Sequence, residues 1–172
     1  KEHKTFESSA LPTPAPGVPV LQAEDLNVRF PSEDGVVHAV RGVNLTVHAG
    51  EILGVVGESG SGKSVTSMSV MGLLDDNAKV EGSIKLHGTE LLGRSDEWMS
   101  DVRGAQIAMV FQDPMTSLNP VKKVGEQIAE SLRYHLGHTR TAARRQAGDL
   151  LEQVGIPEPG RRLDEYPHQL SG

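Results

Sequence analysis

Apolar and polar residues alternate from Leu26 to Phe30, with Leu26, Val28 and Phe30 set against Asn27 and Arg29. A period of two is that of a half-buried strand. Pro31-Ser32-Glu33-Asp34-Gly35 then reads as a turn, and Val36 to Val40 as the returning arm of a hairpin. Val43, Leu45 and Val47 alternate again before Ala49-Gly50 turns the chain. The pattern changes at Glu51-Ile52-Leu53-Gly54-Val55-Val56, a short apolar run of the kind a buried strand uses. Beyond a glycine-rich stretch, Val65, Met68 and Met71 recur at helical spacing and Leu73 and Leu74 close the run. A helix is therefore expected from about Gly62.

Asp75-Asp76-Asn77 ends that periodicity. Gly82-Ser83-Ile84-Lys85-Leu86-His87-Gly88 reads as a short strand between glycine turns, and a polar helical segment is expected from Asp96 to Val102. Ile107-Ala108-Met109-Val110-Phe111 is a second apolar run, expected as a central strand of a parallel sheet and ending at Gln112-Asp113-Pro114. Pro114 and Pro120 hold the next stretch out of helix and ladder. Val124, Ile128 and Leu132 then lie on one helical stripe, with Leu136 a turn further on. A second helix is expected from Thr139 to Val154, with Leu150, Leu151 and Val154 apolar and Arg140, Arg144 and Arg145 forming a basic face. Before all this, Pro12, Pro14, Pro16 and Pro19 sit among small and polar residues, and such a leader buries too little to offset its ordering entropy. Three regions result: a disordered leader over 1–19, a core over 20–120 and a helical part over 121–172.

The glycine-rich stretch is Gly57-Glu58-Ser59-Gly60-Ser61-Gly62-Lys63-Ser64, which matches the phosphate-binding P-loop pattern. Its glycines let the backbone turn tightly and bring N–H groups to an anion. Lys63 is placed to reach the β- and γ-phosphates, Ser64 to offer a hydroxyl to Mg²⁺, and the helix that follows, with Val65 in its first turn, to point its positive end at them. Composition then narrows the partners. A formal net charge of -6 argues against a surface that coats nucleic acid. The absence of cysteine removes disulfides and thiolate metal sites. No apolar run approaches bilayer length, and no apolar signal segment opens the chain.

Four further features carry two readings each. Phe30, one of few aromatics, either stacks on an adenine face or fills the core. Gln112, at the carboxyl end of its strand, either ligates Mg²⁺ or orients a water near the γ-phosphate, or else makes a loop hydrogen bond. The arginines of the last helix bind nucleic acid, or face solvent or an acidic partner. His135 and His138 are spaced for a metal but have no acidic or cysteine partner nearby.

The order β layer, P-loop, strand ending in glutamine, helical pair and Leu170-Ser171-Gly172 resembles the nucleotide-binding domain of ATP-binding cassette (ABC) transporters, from about Val20 onward. The resemblance implies an α/β P-loop NTPase core of RecA type, with a mixed or parallel sheet, an N-terminal antiparallel β layer and a helical subdomain. It makes Gly57 to Ser64 the Walker A motif and Gln112 the Q-loop glutamine. Phe30 becomes the adenine-stacking aromatic, and Ser171 a signature serine that caps the γ-phosphate of ATP in trans. ATP and Mg²⁺ are the implied cofactors. Phe111-Gln112-Asp113-Pro114-Met115-Thr116-Ser117-Leu118-Asn119-Pro120 and Tyr166-Pro167-His168-Gln169-Leu170-Ser171-Gly172 look like the bacterial oligopeptide, dipeptide and nickel importers.

For that subfamily the resemblance implies a peripheral ATPase on the cytoplasmic face of the cell membrane. Its partners would be a second ATPase subunit, two membrane permease subunits and an extracytoplasmic substrate-binding protein, with no nucleic acid. Import of nickel or another small solute is an alternative, and so is a soluble ABC ATPase without transport. A kinase or GTPase would need an acceptor-binding lid or a guanine-reading Asn-Lys-x-Asp, and neither appears. The family continues into a Walker B aspartate, a catalytic glutamate and a switch histidine, and none follows Gly172. This chain is therefore expected to be the N-terminal part of a cassette, lacking central strands and not catalytically competent by itself.

Overall fold

A long antiparallel hairpin opens the fold. Strand β1 (Leu21–Ser32) pairs with β2 (Gly35–Val47) in a register that runs from Ser32 opposite Gly35 to Leu21 opposite Val47. The expected turn is where the pattern put it. The two expected segments Val36 to Val40 and Val43 to Val47 are one continuous strand, because register shifts after Ala23, Leu26 and Val28 absorb the break in alternation. Polar side chains satisfy the backbone groups these shifts leave over. Asn27 Nδ2 donates to the Asp25 carbonyl at 2.8 Å, its Oδ1 accepts from the Gly42 N–H at 3.0 Å, and the Asp25 N–H donates to Asn44 Oδ1 at 2.9 Å. Strands β3 (Lys79–Leu86) and β4 (Thr89–Glu90) extend the sheet antiparallel, in the order β2-β1-β3-β4.

The computed structural model describes residues 11, 15–33, 35–112 and 117–170, and the chain divides into two units, one of residues 8–108 and one of residues 109–172 with 1–7. In the first, the sheet packs one face against helices α1 (Lys63–Met71) and α2 (Asp96–Ala105). Leu26, Val28, Ile84 and Val102 are its largest fully buried side chains. Met99 and Val102, three apart on α2, share its buried face. Ser95 caps α2 by accepting from the Trp98 N–H, and Arg103 in its last turn donates to the Met71 carbonyl at 3.1 Å, where the negative end of α1 favours a cation. Leu11, from the proline-rich leader, is only 9% exposed and joins this core.

Glu90 holds the β3–β4 corner. Its carboxylate accepts from the Ser83 hydroxyl at 2.5 Å, the Ile84 N–H at 2.9 Å and the Leu92 N–H at 3.0 Å. Burial pushes its pKa up, but these hydrogen bonds outweigh burial and hold it below the ordinary value. A depressed folded pKa contributes stability above the unfolded value, near 4.3, and that stability is lost as pH falls through the folded pKa. Glu90→Gln is expected to lose about 1–3 kcal/mol at neutral pH and to converge with the wild type as pH falls through the depressed folded pKa. Urea unfolding across pH checks this, and a loss independent of pH would contradict it.

The second unit is helical: α3 (Val124–Leu136), α4 (Arg140–Gln153), α5 (Pro159–Arg162) and a 3-10 turn at Pro167–Gln169. The expected stripe on α3 holds for Val124, Ile128 and Leu132, whereas Leu136 is exposed. On α4 the buried positions are Ala143, Ala147 and Leu151, four apart, and Val154 is 72% exposed. Small residues at that spacing let two helices approach closely, which a scan for large apolar residues overlooks.

Both apolar runs expected as buried strands depart from that expectation. Residues 51–58 belong to no strand, and Ile52 and Val56 are 96% and 94% exposed. Residues 107–111 likewise join no ladder, and Val110 is 90% exposed. A strand is a property of a ladder: apolar side chains favour burial, but the backbone of an extended segment needs a neighbour to accept and donate. Neither run has such a neighbour among the described residues. No helix among them is long and apolar enough to cross a membrane.

Candidate phosphate-binding site

The loop from Gly57 to Gly62 turns on itself before α1 begins. The Ser61 N–H donates to the Glu58 carbonyl at 3.1 Å, and Gly62, the N-cap, has φ +89°. A Cβ on Gly62 would lie 2.5 Å from the Ala39 carbonyl oxygen, so the loop rests on the backbone of β2. Helix α1 starts at Lys63, one residue beyond the sequence expectation.

Its N-terminus is open. The first intrahelical bond is from the Thr66 N–H to the Gly62 carbonyl at 2.8 Å, so the N–H groups of Lys63, Ser64 and Val65 have no acceptor within the helix. No side chain caps them, and no acidic residue stands in the first turn. Three orphan donors at the positive end of a helix dipole favour an anion.

The Lys63 ammonium folds back over the loop. It donates to the Gly57 carbonyl at 2.5 Å, the Glu58 carbonyl at 2.7 Å and Ser61 Oγ at 3.2 Å. A Cβ on Gly57 would come 2.5 Å from Ser61 Oγ, so a side chain there would crowd the cradle. The loop carbonyls that hold the ammonium are solvent-facing, and an incoming anion offers it stronger, charge-assisted acceptors. Ser64 is exposed and its hydroxyl makes no hydrogen bond among the described residues, which suits a ligand of Mg²⁺. No group of three His, Cys, Asp or Glu among those residues is arranged to hold a metal by itself.

The other sequence candidates fall into place unevenly. Phe30 lies in β1 opposite Val37, half-buried and packed against the core. Two residues back along β1, Val28 pairs with Val40, whose Cγ2 is 3.6 Å from the Cβ position of Gly62. Phe30 thus sits roughly 7 Å along the strand from the pair that touches the loop. Gln112 is exposed and belongs to the helical unit. Ser171 lies outside the described residues. Of the basic face on α4, Arg144 pairs with Asp164 at 2.7 Å, and His135 lies edge-on to Tyr134. Sequence reasoning missed Ala39 and Val40 as the floor of the loop, since a backbone carbonyl leaves no residue-type signal.

Comparison with known proteins places the chain in a family. The family model described as ABC transporter matches residues 40–172. The oligopeptide transport ATP-binding protein OppD of Mycobacterium tuberculosis is 51% identical over 155 residues, which are 90% of this chain and 25% of that protein. OppD of Haemophilus influenzae is 47% identical over 90% of this chain and 48% of its own length. The dipeptide transport ATP-binding protein DppD of Bacillus subtilis is 50% identical over 89% of this chain and 46% of its own. The chain therefore spans about half the length of most of these relatives, and a quarter of the first. Among solved structures, the dimeric ABC transporter cassette MJ0796 superposes with a TM-score of 0.76 at 24% identity, covering 88% of this chain and 63% of that one. Its post-hydrolysis state with ADP and Pi gives the same TM-score at 23% identity. With the open helix, the lysine-bearing glycine loop and a family match across three quarters of its length, the chain belongs to the ABC transporter family.

Proposed function

We propose that this chain supplies the ATP-binding part of an ABC ATPase subunit that couples ATP hydrolysis to the import of di- or oligopeptides across the cytoplasmic membrane. One observation carries the nucleotide reading: the uncapped first turn of α1, opening with Lys63, whose ammonium folds over the glycine-rich loop before it. The peptide reading is supported by the names of the similar transport proteins.

In this reading the N–H groups of Lys63, Ser64 and Val65 and the Lys63 ammonium bind the β- and γ-phosphates of ATP. They stabilise charge on the transferred phosphoryl group. Ser64 holds Mg²⁺, which when bound neutralises phosphate charge. Phe30 offers its ring to the adenine, and Ser171 meets the γ-phosphate of a second subunit. The partners are that second ATPase, two permease subunits that place the protein on the cytoplasmic membrane face, and an extracytoplasmic binding protein.

Uptake of a labelled dipeptide and of nickel, measured in cells with and without the intact gene, tests the proposal together with Mg-ATP titration of the protein. Saturable ATP binding and gene-dependent peptide uptake are expected. Gene-dependent nickel uptake alone would replace the substrate class. ATP binding with no transport defect would leave an ABC ATPase without a transport role.

A further inference from the structure

We propose that Asn27 is a positioning residue for phosphate binding: it pins the bulge of β2 on which the glycine-rich loop rests, without touching nucleotide itself. The inference rests on the reading of that loop as the phosphate site for ATP.

Across the hairpin, Val28 is opposite Val40 and Arg29 is opposite His38. Consecutive residues of β1 thus meet residues of β2 that are not consecutive, and Ala39 is left over as the extra residue of a β-bulge. Its carbonyl oxygen is the atom that lies 2.5 Å from the Cβ position of Gly62. Gly62 is the N-cap of α1, so the direction of the Lys63, Ser64 and Val65 N–H groups depends on where that carbonyl stands. A second irregularity follows at once. Leu26 is opposite Val43, so Asn27 alone spans Arg41 and Gly42. The floor of the loop, Ala39 and Val40, therefore adjoins two places where the ladder is broken. Bulges leave backbone groups without a ladder partner, and side chains have to supply one.

Asn27 supplies it. Its Oδ1 accepts from the Gly42 N–H at 3.0 Å on one side of the floor and lies 3.1 Å from His38 Nε2 on the other. The amide orientation follows from its partners. A backbone N–H requires oxygen at the Gly42 end, and Nδ2 donates to the Asp25 carbonyl at 2.8 Å and to Asp25 Oδ1 at 3.1 Å. An amide oxygen only accepts, so His38 carries a proton on Nε2 and donates it. Both bonds to Oδ1 are partly buried. One atom thus ties residues 38 and 42 together, and the arc between them presents Ala39 to the loop. Without it both donors turn to water, and the extra residue is free to shift along the strand. Gly62 already touches the Ala39 carbonyl, so such a shift reaches the first turn of α1.

Mg-ATP titration and thermal melting of the whole protein test this, at a temperature where every variant is folded. Asn27→Ala is expected to weaken ATP binding about tenfold or more, the effect of misdirecting a hydrogen bond to a charged group. Asn27→Asp keeps the acceptor for Gly42 and His38 and should recover part of the affinity. Glu90→Gln loosens the same sheet at its β3–β4 corner, and should lose Tm while holding ATP affinity within about twofold of wild type. Should Asn27→Ala fail to fold, His38→Ala carries the test, with binding weakened and partly recovered in His38→Gln, whose amide still donates. The positioning role is overturned if the folded variants at 27 and 38 bind ATP as tightly as wild type, or if Glu90→Gln weakens binding equally. Loss of binding in Lys63→Ala with full binding in Asn27→Ala overturns this role alone. A wild-type protein that binds no Mg-ATP overturns the phosphate reading, and this inference with it.

Discussion

Lys63→Ala is expected to weaken ATP binding by about a hundredfold and to bring hydrolysis to background, with the melting temperature of the protein nearly unchanged. Lys63 is the one basic residue between Gly57 and Ser64, and its ammonium donates to the Gly57 and Glu58 carbonyls of the loop. Charge-assisted hydrogen bonds are worth about 1.5–3 kcal/mol each, and loss of one donor to a developing oxyanion costs about 10²–10³ in rate. Stability responds differently. The partners of Lys63 are two exposed carbonyls and a hydroxyl, which water satisfies when the ammonium is removed. A change within about 0.5 kcal/mol is expected there. Lys63→Arg should restore little, because a planar fork is a poor substitute for a compact ammonium inside a tight loop. Nucleotide titration, ATPase rate and thermal melting separate the terms. Hydrolysis at wild-type rate in Lys63→Ala would remove the basis for assigning the loop to phosphate.

Much of this architecture is legible in the residues. The β1–β2 turn follows from Pro31 to Gly35, the extent of α4 from Thr139 to Val154, and the start of α1 from the P-loop spacing, because each is set by local chemistry. Thr139, for example, caps α4 by accepting from the Ala142 N–H at 3.2 Å. What could not be read is non-local. Ile52 to Val56 has the composition of a strand, yet a ladder needs a partner that the run itself cannot specify. Ala143 and Ala147 look neutral in a pattern that scores large side chains, though they are fully buried. Gly125 carries no turn signature, and its requirement appears only when Leu163 is folded against it. The glycine-rich loop is the easier case: a glycine-lysine spacing encodes its own conformation, and only its floor on β2 needs the fold.

Gly62→Ala is expected to remove nucleotide binding as completely as Lys63→Ala, but by a different route that includes a loss of stability. Gly62 has φ +89°, a conformation that disfavours an L side chain by about 1–2 kcal/mol. Its neighbour Gly60 has φ +78° and open space where a Cβ would go. Gly60→Ala therefore meets the dihedral strain alone and should lose about 1–2 kcal/mol with loop geometry nearly kept. At Gly62 the added methyl also meets the Ala39 carbonyl oxygen at 2.5 Å. That obstacle is backbone in a strand paired to β1, so no rotamer change and no substitution at 39 relieves it. Either β2 shifts or the N-terminus of α1 lifts away, and the N–H groups of Lys63, Ser64 and Val65 lose their common direction. Binding should fall far more in Gly62→Ala than in Gly60→Ala, and the melting temperature likewise. Equal ATP affinity in the two variants would show that contact with β2 is unimportant and that glycine is needed at 62 for its dihedral alone.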